Sequence, residues 1–62
     1  MNLRERIKAV AKAKKIPLYI VEKQAGIANG SISKWTDTSP SVDKVVRVAK
    51  ALGVPVETLI ED

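Results

Sequence analysis

Residues 29 to 35, NGSISKW, can form either the tip of a β-hairpin or the start of a helix, and the two choices lead to different folds. Asn-Gly beside alternating apolar residues is a strong short-range hairpin signal. Ile32 and Trp35, three apart, carry helical spacing instead. A chain of 62 residues buries only about 60% of its unfolded surface and builds one small core, so both readings cannot coexist. A hairpin centred on Asn29-Gly30 would pair Ala28 with Ser31 and Ile27 with Ile32, and would leave a two-stranded ribbon that is marginal in water. If residues 18–25 and 28–36 are instead two helices around a tight turn at Gly26, then Val21, Ala25, Ile27, Ile32 and Trp35 all face inward. The helical reading is therefore preferred.

The flanking segments agree with it. Leu3, Ile7, Val10 and Ala11 recur at helical spacing, and Asn2 with Glu5 fits a capping box. On this helix Arg4, Lys8, Lys12 and Lys15 share a polar face beside the apolar stripe. Pro17 restarts the pattern and Gly26 closes a helix of about eight residues. After the polar loop TDTSP, Ser41 is a good N-cap for a helix on which Val42, Val45, Val46, Ala49 and Leu52 lie at helical spacing, with Gly53 beyond its end. Val54, Val56, Leu59 and Ile60 suggest a last short helix started by Pro55. We expect one domain spanning residues 1–62, without internal repeats.

Composition narrows the function. The chain has no cysteine and no histidine, which removes a disulfide framework, the usual metal ligands and the usual general base. Its seven acids form no pair suited to coupled proton transfer, so an enzyme, a cofactor and a small-molecule substrate are all unexpected. Eleven Lys and Arg against seven Asp and Glu give a net charge of +4, and the positive field is concentrated in residues 1–23. A polyanion is the natural partner. There is no signal-peptide core and no membrane-spanning run, so a soluble, cytoplasmic protein is expected. Association of the basic first helix with a membrane surface would consume the apolar stripe that the core needs.

The stretch IPLYIVEKQAGIANGSISKW, followed by SPSVDKVVRVAKALGVPVETLI, resembles the Cro/CI-type helix–turn–helix domain of phage and bacterial repressors, the XRE-like regulators. The resemblance runs from about Leu3 to Ile60, and its most specific pieces are AGI, SISKW and AKALGV. It implies an all-α fold, a compact five-helix bundle like that of lambda repressor, with the helix–turn–helix motif at about residues 18–36. It further implies a transcriptional regulator, a repressor above all, whose third helix enters the major groove of double-stranded DNA. A homodimer would then bind a near-palindromic operator with half-sites about 34 Å apart. The alternative is an antitoxin-like or anti-repressor interaction module that keeps the fold with weak DNA binding.

Carried over from the family, the DNA-facing residues are Asn29, Gly30, Ser31, Ser33 and Lys34. Asn29 either reads adenine, bonds a phosphate or caps its own helix. Gly30 stands where relatives place a base-reading side chain, and its use is close approach of the backbone or none. Ser31 and Ser33 suit a base edge or a phosphate, and Lys34 a guanine or a phosphate. Trp35 belongs to the core. Tyr19 is a phosphate donor or a ring packed over the first helix, and Ser39, Ser41 and Lys44 flank a helix N-terminus where phosphate is readily accepted. Three departures accompany the resemblance: Pro17, Ala28 and Pro55 replace the usual serine caps, Leu18 replaces a phosphate-binding glutamine, and Glu22 replaces a small residue. Glu22 is expected to reach solvent or a nearby lysine.

Overall fold

The computed structural model describes residues 2–35 and 40–60. Four α-helices account for most of them: α1 (Leu3–Ala13), α2 (Leu18–Ala25), α3 (Val42–Leu52) and α4 (Glu57–Ile60). Of the segment expected to form a third α-helix over 28–36, the described residues 28–35 instead hold a single 3₁₀ turn at Ile32–Lys34. The described residues are thus all-helical with four α-helices, and the five-helix expectation is corrected at this one element. Residues 36–39, expected to form a polar loop and including Ser39, lie outside the described residues.

Local chemistry accounts for the helix boundaries. Asn2 caps α1, its side-chain oxygen accepting the Glu5 N–H at 2.8 Å, and the Ser41 hydroxyl oxygen accepts the Lys44 N–H at the start of α3 at 3.4 Å. Pro17 precedes α2 without a side-chain cap, and its carbonyl accepts the Ile20 and Val21 N–H groups. Three helices end the same way. The N–H of Ile16, Ile27 and Val54 is donated back to Ala11, Glu22 and Ala49 respectively, closing each C-terminus around a residue with positive φ. At two of these ends that residue is glycine, Gly26 and Gly53; at α1 it is Lys15, with φ +60. Lys15 therefore lies beyond the helix and does not continue the face of Arg4, Lys8 and Lys12.

One core joins these elements. Ile7 and Ala11 of α1, Val21 and Ala25 of α2, Ile32 and Trp35, Val45, Val48, Ala49 and Leu52 of α3, and Leu59 of α4 are buried together. Ile16, Ile27 and Val54, each just past a helix end, pack partly buried against the same cluster, as the apolar contact of such termini requires. The broadest helix–helix interface is that of α2 with α3. Arg6 donates to the Thr58 carbonyl at 3.5 Å, tying α1 to α4. Val42, expected on the apolar face of α3, is 77% exposed at its first turn, and Val48 takes a core place that the sequence pattern did not assign. Among the described residues, no helix is long and apolar enough to cross a membrane.

Candidate nucleic-acid interface

The segment after α2 is neither a hairpin nor an α-helix. Ser31 donates its N–H to the Ala28 carbonyl at 3.1 Å, so Ala28 to Ser31 form a β-turn with Asn29-Gly30 at its centre. Gly30 has φ +88, whereas Asn29 is not among the positive-φ residues, which is the sign pattern of a type II turn and not of the type I′ turn that joins hairpin strands. The chain then coils once: Lys34 and Trp35 donate to the Ser31 and Ile32 carbonyls, both at 3.1 Å. Ile32 is fully buried and Trp35 is 8% exposed, so the indole is core, as its spacing implied. Ser33 and Lys34 face outward between these two anchors.

Gly30 now has a conformational reason. A Cβ built there meets nothing within 4 Å, so crowding does not exclude a side chain; the positive φ does. Gly30→Ala is expected to cost about 1 kcal/mol in thermal unfolding. D-alanine, introduced by chemical synthesis and at ease with positive φ, should remove that loss.

Glu22 departs furthest from expectation. It is 4% exposed, and its two carboxylate oxygens accept the Gly30 N–H at 3.0 Å and the Ile32 N–H at 3.1 Å. The expected outlet to solvent or a lysine is overturned because the turn presents two backbone donors, that of Gly30 part-buried and that of Ile32 buried, and the carboxylate accepts both.

The other site residues fall into two groups. Tyr19 is 62% exposed and, with Lys23, Glu22, Ile27 and Asn29, lines an open depression of about 330 Å³ between α2 and the turn. Lys23, one helical turn after Tyr19, lines this depression without having been among the residues singled out in the sequence. Asn29 is exposed and Ser31 half-buried. The Ser33 hydroxyl donates to the Gly30 carbonyl at 2.7 Å, which leaves its oxygen only as an acceptor. Ser41 and Lys44 stand exposed on the first turn of α3, where the Ser41 oxygen accepts a backbone N–H and its proton remains available to donate. Asp43 and Arg47 pair at 3.0 Å on the surface of the same helix. Leu18 is half-buried against the core.

No family model and no curated protein matches the chain. Among solved structures, the chain is similar to the DNA-binding domain of the P22 c2 repressor in solution, with 30% sequence identity and a TM-score of 0.88 over 98% of this chain and 83% of that one. It is likewise similar to the P22 c2 repressor crystallised with a synthetic operator, again at 30% identity, with a TM-score of 0.83 over 98% of this chain and 96% of that one. Identity at this level over nearly the full length of both chains, on the same helical frame, means that the chain belongs to the Cro/CI-type helix–turn–helix domains of phage and bacterial repressors.

Proposed function

We propose that this protein is a sequence-specific duplex DNA-binding regulator, a repressor, acting as one unit over residues 1–62 and presenting the turn and 3₁₀ segment at 28–34 to the major groove. The observation that carries this reading is its likeness to a repressor that was crystallised with operator DNA. In it, Asn29 reads adenine or bonds a phosphate, and Lys34 reaches guanine or phosphate. Ser33 accepts from an exposed base amino group, since its own proton is used within the turn. Tyr19 donates to phosphate from the rim of the depression, and Ser41 and Lys44 receive a phosphate at the N-terminus of α3. Ser31 contributes a short polar contact at the front of the turn, and Ser39 is a further phosphate contact. Gly30 brings its backbone close to the DNA without a side chain. Two copies bind half-sites of a near-palindromic operator about 34 Å apart.

Titration against mixed and selected duplexes over a range of salt tests the proposal. Affinity should fall with salt by about 0.9 logarithmic units per phosphate neutralised for each tenfold increase in salt. Selection from random duplexes should return paired half-sites. Absence of binding at low salt would overturn the reading and favour the interaction module, for which the half-buried Leu18 and the side-chain-free Gly30 are the supporting features.

A further inference from the structure

Residues 27 to 32 contain no α-helical ladder, and one residue of α2 holds them at three points. The Glu22 backbone carbonyl accepts the Ile27 N–H at 3.0 Å, and its carboxylate accepts the Gly30 and Ile32 N–H groups at 3.0 and 3.1 Å. Ile32 and Trp35 anchor the segment to the core, but apolar packing is non-directional and sets depth better than orientation. The two bonded amides flank Ser31 on either side, so they fix the direction in which the outward face of the turn points.

From this we infer that Glu22 is a positioning residue for DNA reading: its buried carboxylate orients the 28–34 turn toward the bases. The inference rests on the DNA-binding reading above. Its predicted signature is selective. Loss of the carboxylate should erode discrimination between DNA sequences more than affinity for DNA in general, because general affinity comes from phosphate contacts.

Glu22→Gln keeps the volume and replaces one acceptor oxygen with a donor, so it cannot satisfy both amides. Wild type and E22Q should be compared at a temperature where circular dichroism shows both fully folded. The duplex that wild type selects from a random pool and an unrelated duplex of equal length serve as probes. We expect E22Q to lose about tenfold in affinity for the selected duplex, as expected for one misdirected base contact, and about twofold or less for the unrelated one. A parallel fall on both duplexes, or an unchanged ratio, would overturn the inference. Amide spectra separate this from failure of the functional reading. The Gly30 and Ile32 amide signals should move in E22Q while those of Leu52 and Leu59 stay. If wild type binds no duplex, the DNA-binding reading fails and takes the reading role of Glu22 with it. Unmoved Gly30 and Ile32 signals would overturn the positioning contact itself.

Discussion

Trp35→Ala should lower stability by about 3–5 kcal/mol, which approaches the whole stability of many domains of this size. The indole is 8% exposed and shares the core with Ile32, Val21 and Leu52, so its removal leaves a cavity that the fully buried neighbours are too constrained to fill. Its sequence neighbour provides the contrast. Lys34 is exposed on the opposite side of the same 3₁₀ turn, and Lys34→Ala should leave stability within about 0.5 kcal/mol while weakening duplex binding. Urea denaturation of the two variants, with a duplex titration of the second, checks both statements. If Lys34→Ala proves the more destabilising, the turn presents the wrong face to solvent.

Leu59→Ala should cost about 2–5 kcal/mol, although α4 has only four residues. Leu59 is 2% exposed and lies in the common core, whereas Ile60 is 61% exposed. Ile60→Ala should therefore be close to neutral for the folding of one copy, within about 0.5 kcal/mol. Denaturation at several protein concentrations distinguishes the roles: the Leu59 effect should not depend on concentration. A concentration-dependent Ile60 effect would place that residue in the contact between copies, and a large concentration-independent one would mean that α4 packs in another register.

Wherever the cause of a feature lies within about four residues, the sequence already carried it. The Asn2 and Ser41 caps, the glycine ends at Gly26 and Gly53, the stripe through Ile7 and Ala11 and that through Val45, Ala49 and Leu52 all follow from local hydrogen bonding or from the helical period. Val42 and Val48 show where the period misleads. A stripe gives a face but not its ends, and only packing decided that the first turn of α3 projects past the core while Val48 enters it. Lys15 was placed on a helix face because nothing in its identity marks a left-handed residue; the return of the Ile16 N–H to Ala11 imposes that conformation.

The candidate site divides along the same line. Ile32 and Trp35 told in the sequence which side chains after α2 turn inward, since their spacing makes both bury together only if the chain coils. How it coils was not legible. The same seven residues support a hairpin turn, an α-helix or the type II turn followed by 3₁₀ coil that the structure has, and intrinsic preferences among these differ by little. The choice was made across the fold by Glu22, eight and ten residues away from the amides it accepts. A carboxylate's identity says that it needs donors when buried, but not which backbone will supply them, because that depends on how α2 and the turn come together in three dimensions. The sequence alone determined that Ile32 and Trp35 are the inward residues of the segment; tertiary structure decided its shape and the direction of its outward face, because the approach of α2 and the turn is what brings the buried Glu22 carboxylate to the Gly30 and Ile32 N–H groups.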